Sequence, residues 1–173
     1  MKKIEKDFDI FVNKLLSAYQ QFCLDEIIHL EVKTNYYRRF KKTWDITLSS
    51  LELGYLIELA KIFESQRSDE TITIYYFLDY KFKEYYGTIE KLKKLRNKFL
   101  AHTDVKTMRD LKKFMDSVKL KRSEIRLLFK KTIEVIDTMK TTFGLTENLV
   151  QRFEDEKKSI EEEFKSFVPL KYQ

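Results

Sequence analysis

Tyr37, Phe40, Trp44, Leu48, Leu51, Tyr55, Leu59 and Ile62 advance along the chain in steps of three and four without a miss. Only a 3.6-residue period keeps such a series on one face, so this stretch is predicted to be one long helix of roughly 39 Å. It should stop near Gln66, before the polar run Arg67-Ser68-Asp69-Glu70. Little else in the chain offers an alternative to helix. Its 173 residues contain three Gly and one Pro, far below the usual usage of about 7% and 5%. A β-sandwich or a doubly wound α/β fold needs more turns than so few breakers can mark.

The remaining segments follow the same period. Ile4, Phe8, Phe11, Leu15, Phe22 and Leu30 trace a first helical stripe. Thr71 to Phe77 alternates like a strand but has no strand nearby to pair with, so a short helix or ordered connection is expected. A helix from about Phe82 to His102 carries Tyr85, Ile89, Leu92, Leu95 and Phe99, and a shorter one should cover Lys106 to Ser117. Ser123 is a natural N-cap for the next, which carries Ile125, Leu128, Val135, Ile136 and Met139 and stops at Gly144. Thr146 can cap a last helix (146–168) with Leu149, Phe153, Ile160, Phe164 and Phe167 inward, ended by Pro169. The fold class is therefore all-α: a bundle of five or six helices in a single domain over 1–173.

Composition narrows the function classes. The 43% apolar content, with 25 aromatic residues, is enough for a sizeable core and excludes intrinsic disorder. The single Cys23 excludes a disulfide framework and a thiolate zinc site, and fits a reducing, cytoplasmic setting. The opening MKKIEKDFDIF puts acids where a secretory leader needs an apolar core. The longest uncharged run, Leu15 to Leu24, is ten residues and too short to span a bilayer, so no membrane contact is expected. No P-loop, GxGxxG, HExxH or C-x-x-C is present, and neither metal nor cofactor is expected. The net charge of +6 conceals a block: residues 81–131 hold 17 Lys/Arg against 6 Asp/Glu, a local +11, while the rest of the chain is at −5. Such a block attracts polyanions; in a Lys-rich chain it is also what solvated helix faces look like.

Two histidines limit where acid–base chemistry can occur. His29, beside Ile27, Ile28 and Leu30, has no second histidine placed to share its work and reads as structural or partly exposed. His102 closes the run Leu95-Arg96-Asn97-Lys98-Phe99-Leu100-Ala101-His102-Thr103-Asp104. On a wheel with Ile89 at zero, Tyr85, Leu92 and Phe99 lie between about 320° and 280°, and Arg96 at about 340° lies inside that stripe. Lys91, Lys93, Lys94 and Lys98 face away. A guanidinium on the buried side needs an anion: an Asp or Glu of another helix, a phosphate, or else a route by which the side chain snorkels to the rim. Arg96 and His102 are about 9 Å and 120° apart on a straight helix, so one chain's pair is poorly placed to grip one small group unless the helix breaks near Ala101. Two copies of the segment brought together would place two Arg and two His around one anionic cleft, a combination suited to phosphodiester cleavage without a metal.

Arg96-Asn97-Lys98-Phe99-Leu100-Ala101-His102 is similar to the R-x(4–6)-H motif of the HEPN superfamily, including the polar residue after the Arg, and RNKFLAHTD resembles the RNK-x-x-AH-x-D form of its abortive-infection-type branch. The order of a long aromatic helix running into LELGYLIELAKIF, then TITIYYFL, then the motif helix also resembles that branch, over roughly 35–143. The resemblance implies a helical bundle dimerising through its motif helix, and often a metal-independent endoribonuclease of toxin–antitoxin or antiphage-defence systems. Arg96 would then hold the scissile phosphate, His102 would serve as general base on the ribose 2′-OH or general acid on the leaving oxygen, and Asn97 would orient either. Asp104 would fix the His102 tautomer, or simply cap the next helix. Some HEPN toxins carry at that position a Tyr that a partner nucleotidyltransferase modifies; Asp104 departs from that pattern. Lys91, Lys94 and Lys98 are the candidate RNA contacts, and the implied partners are an RNA substrate, a second copy of the chain and possibly a cognate antitoxin protein.

Two other readings remain open on sequence: a non-catalytic HEPN-like module that binds RNA, nucleotide or protein, and a helical interaction protein whose basic block meets an acidic partner. Outside the motif, Trp44 reads as packing, Glu161-Glu162-Glu163 as a solvated face, and Tyr36 to Phe40 as packing aromatics or a stacking platform for bases.

Overall fold

The structure, a computed structural model, describes residues 2–31, 38–65, 72–78, 82–101 and 117–167. Among them are six α-helices and no strand. We number them α1 (Lys3–Glu31), α2 (Lys41–Ile62), α3 (Ile74–Phe77), α4 (Tyr86–Ala101), α5 (Arg122–Met139) and α6 (Leu149–Phe167), with 3₁₀ turns at Lys83–Tyr85 and Lys140–Phe143. The short helix expected in the Thr71–Phe77 segment is α3. The helix expected over Lys106–Ser117 lies almost wholly outside the described residues.

α1 is the spine of the bundle, packing on both α2 and α6, while α2 also meets α4 and α5 also meets α6. Phe8, Phe11, Leu15 and Phe22 of the first stripe are buried; Ile4 and Leu30, at its ends, overhang the core and are exposed. Phe22 meets Tyr55 of α2 edge-on at 5.3 Å, and Phe8 stacks on Phe143 at 4.5 Å. Such pairs contribute about 0.5–1.5 kcal/mol beyond their burial, and they draw one cluster from every helix. Gly54 faces the Gln21 side chain of α1, whose amide end occupies the space a Cβ would take.

Several ends differ from the sequence expectation. α2 closes at Ile62 rather than near Gln66, because Phe63 turns into the core to meet Phe82 at 5.1 Å. The Glu64 N–H then donates to the Lys61 carbonyl in a tight turn (3.1 Å). The residue before α5 is Lys121, not Ser123: the Glu124 carboxylate reaches back to accept from the Lys121 N–H (2.8 Å), leaving Ser123 inside the helix. Asn148, not Thr146, caps α6, its Oδ1 accepting from the Gln151 N–H (3.0 Å). Asp137 of α5 takes the Leu149 N–H (2.7 Å), which satisfies a second donor of the same helix end. Phe167, expected inward, is exposed. Gly144 does end the α5 stretch, in the left-handed region at φ +79°.

Candidate active site at the end of the fourth helix

Ile89, Leu92 and Leu95 bury one face of α4, and Arg96 leaves that face at its edge, its side chain only 11% exposed. The anion it requires comes from its own chain. Glu64, carried in the turn after α2, places Oε2 2.5 Å from Arg96 Nη1. The other edge of the guanidinium, Nη2 and Nε, donates to Asn97 Oδ1 at 2.9 and 3.3 Å. Of the options left open by the helical wheel, the structure thus supplies an ion pair with a residue from another helix's end. His102 and Asp104 lie outside the described residues, as does the side chain of Phe99.

The lysines of this helix divide into two kinds. Lys91 donates to Glu124 Oε1 (2.8 Å) and to the Lys119 carbonyl (3.2 Å), which pins α4 to the start of α5. Glu124 feels opposing influences: partial burial pushes its carboxyl up, but hydrogen bonds from Lys91 and the Lys121 N–H, with their charge, hold it below its ordinary value. Lys93 pairs with Glu90 at 3.3 Å. Lys94 is exposed beside Asn97, and Lys98 is half-buried. Lys94 therefore belongs to the outward face of α4, away from the stripe that carries Arg96, whereas Lys91 holds the fold together. Among the described residues no group of His, Cys, Asp and Glu is arranged to hold a metal.

A second polar centre escaped the sequence reading. Asp25 of α1 is fully buried, and its Oδ2 accepts from Arg122 Nε at 3.0 Å and from the Tyr55 hydroxyl at 3.4 Å. His29 is half-buried here, as its neighbours in sequence suggested. Its Nδ1 lies 2.9 Å from the Asp25 carbonyl oxygen and its Nε2 2.8 Å from Arg122 Nη2. Arg122 can only donate, so in this contact Nε2 accepts and Nδ1 is the side that donates to the Asp25 carbonyl. Burial pushes the Glu52 carboxyl above its ordinary value, with only partial relief from the charge of Arg122. Burial lowers Arg122, but its bond to Asp25 and that residue's charge hold it above its ordinary value. This centre ties α1, α2 and α5 together. Elsewhere, Cys23 is buried and pushed up to about 12 by desolvation, which leaves its thiol unreactive.

With this geometry in hand, the sequence matches one protein-family model. Residues 78–158 match the family HEPN_AbiU2, described as AbiU2. The match supports HEPN, of the abortive-infection type, for this stretch. The HEPN match runs from just before α4 through α5 into α6, and so contains Arg96, Asn97, His102 and Asp104. It starts at residue 78, so the likeness of 35–77 to the HEPN layout rests on the order of elements alone. No curated protein and no solved structure matches the chain. Among the described residues no helix is long and apolar enough to cross a membrane.

Proposed function

We propose that this protein is a metal-independent endoribonuclease, acting as a HEPN-type toxin or antiphage-defence effector at a site shared by two copies of the chain. The observation that carries the reading is the Arg96–Asn97 pair on α4, inside the HEPN-matching segment, with Arg96 at the edge of the buried face and Asn97 exposed. In this mechanism Arg96 grips the scissile phosphate and offsets the charge that builds on it. His102 takes the proton of the ribose 2′-OH, whose oxygen attacks phosphorus and expels the 5′-oxygen of the next nucleotide. A second imidazole, from the partner subunit, returns a proton to that leaving oxygen. The test is cleavage of single-stranded RNA by wild-type, His102→Ala and Arg96→Ala proteins. Each substitution should cost about 10²–10⁴-fold, and undiminished cleavage by His102→Ala protein overturns the assignment.

The Glu64–Arg96 pair also favours a second reading, a non-catalytic HEPN-like binding module in which Arg96 serves only the fold. On that reading Arg96→Ala lowers the melting temperature and changes neither RNA binding nor cleavage. On ours it abolishes cleavage, whatever it does to stability.

A further inference from the structure

The two partners of Arg96 differ in kind. Glu64 is an anion with 21% of its side chain exposed, and its backbone is pinned by the turn onto Lys61 and by the buried Phe63 beside it. Asn97 is neutral, exposed, and adjacent to Arg96 in the chain. They also take different edges of the guanidinium: Glu64 meets Nη1, while a single amide oxygen spans Nη2 and Nε. Two parallel N–H groups on one edge are what a phosphodiester grips bidentately. A phosphate carries a full negative charge and displaces a neutral amide oxygen far more readily than a second carboxylate.

We propose that Glu64 is a positioning residue for phosphate recognition: it fixes Arg96 through Nη1 so that the Nη2/Nε edge faces outward, with Asn97 Oδ1 filling that edge until an RNA phosphodiester replaces it. The inference rests on the ribonuclease reading for its substrate, but the positioning itself is independent of catalysis. An untethered arginine loses rotamer freedom when it grips a phosphate, so holding one end of the fork lowers what phosphate binding has to order. Glu64 also offsets the charge of Arg96. The arginine then contributes orientation at the reacting phosphate more than a general attraction for RNA.

The experiment follows the Arg96 Nε–H resonance by ¹⁵N NMR, assigned with Arg96→Lys, in wild-type, Glu64→Ala, Glu64→Gln and Asn97→Ala proteins. The probe is a single-stranded oligodeoxynucleotide, which has the phosphodiesters but cannot be cleaved through a 2′-OH. In wild type the resonance should stand apart from solvent-averaged arginines and shift on adding the probe. Glu64→Ala should collapse it into the averaged group. Glu64→Gln, whose amide oxygen still accepts from Nη1, should keep it resolved, and Asn97→Ala, which removes the acceptor of Nε–H, should move the signal but leave it resolved and responsive to the probe. In parallel, Glu64→Ala should lower kcat for RNA cleavage about 10–100-fold, the order expected for a misplaced group. Glu64→Gln should recover most of that loss at an equal or lower KM. An Arg96 signal indifferent to Glu64→Ala overturns the proposal, as does a wild-type signal that ignores the probe. A protein that cleaves no RNA, yet shows the expected resonance behaviour, instead refutes the ribonuclease reading and leaves the positioning role standing. Equal circular-dichroism spectra for the two Glu64 variants separate misplacement of Arg96 from loss of fold.

Discussion

Replacing Arg122 with Ala should be among the most damaging single changes outside the HEPN motif, because it strands Asp25. That carboxylate has no exposed surface, and Arg122 Nε at 3.0 Å is its one cationic hydrogen-bond donor among the described contacts. What remains is the Tyr55 hydroxyl at 3.4 Å and the His29 ring, whose Nδ1 stands 3.3 Å from Oδ1 and already serves the main-chain carbonyl. Removing one member of a fully buried pair costs about 3–5 kcal/mol. The Arg122 side chain is 36% exposed, so water enters the vacated space and solvates part of the charge, and we expect about 2–4 kcal/mol. For a chain of this size each kcal/mol shifts the midpoint by about 2–4 °C, which gives a drop of about 4–16 °C in a thermal melt followed by circular dichroism. Adding Asp25→Asn to Arg122→Ala removes the stranded charge while keeping an acceptor for Tyr55, so the double variant should melt above the single one. If Arg122→Ala melts within a degree of wild type, or if Asp25→Asn fails to recover any stability, the pair is not the buried keystone of this junction.

Three other outcomes follow from the same contacts. Lys94→Glu should weaken RNA binding and flatten its dependence on salt without lowering the melting temperature. Lys91→Glu should lower the melting temperature first, because it sets two carboxylates against each other at Glu124; filter binding at several salt concentrations, beside melts, distinguishes the two. Glu124 and Asp137 are both held below their ordinary values in the fold. Their stabilisation is therefore present above the unfolded carboxylate range, about pH 4, and is lost as pH falls through the lower folded values. Glu124→Gln should reduce stability at pH 7 and narrow its gap to wild type below about pH 4 in pH-jump denaturation. Light scattering at micromolar concentration should give a homodimer, and a monomer both with and without RNA contradicts the shared site.

The helical stripes were legible because packing on one core face imposes a period that sequence displays directly. Their ends were less so, for reasons that lie elsewhere in the fold. Thr146 and Asn148 are both good caps by residue type, and the choice falls to Asn148 where Asp137 of α5 supplies a second acceptor for the same helix end. Gln66 looked like the end of α2, but the burial of Phe63 ends it earlier. The motif helix and the demand of Arg96 for an anion could be read from spacing alone. Glu64 could not be named, because nothing local joins it to a residue 32 positions on. The Asp25–Arg122 centre left one trace. Asp25 stands three residues after Phe22 on the face of the first stripe, where a carboxylate predicts a buried pair, and stepping from Phe22 to Leu30 passed over it.

The central claim, that RNA is cut by its own 2′-OH with His102 moving the proton and Arg96 holding the phosphate, is tested most directly by the chemistry of the new ends. Wild-type protein should be incubated with RNA in excess EDTA and the products resolved by mass spectrometry, beside a substrate that is 2′-deoxy at the cleaved position. The account predicts cleavage undiminished by EDTA, a 2′,3′-cyclic phosphate on one fragment with a 5′-hydroxyl on the other, and an intact 2′-deoxy substrate. Cleavage that stops in EDTA, or that leaves a 5′-phosphate, contradicts it.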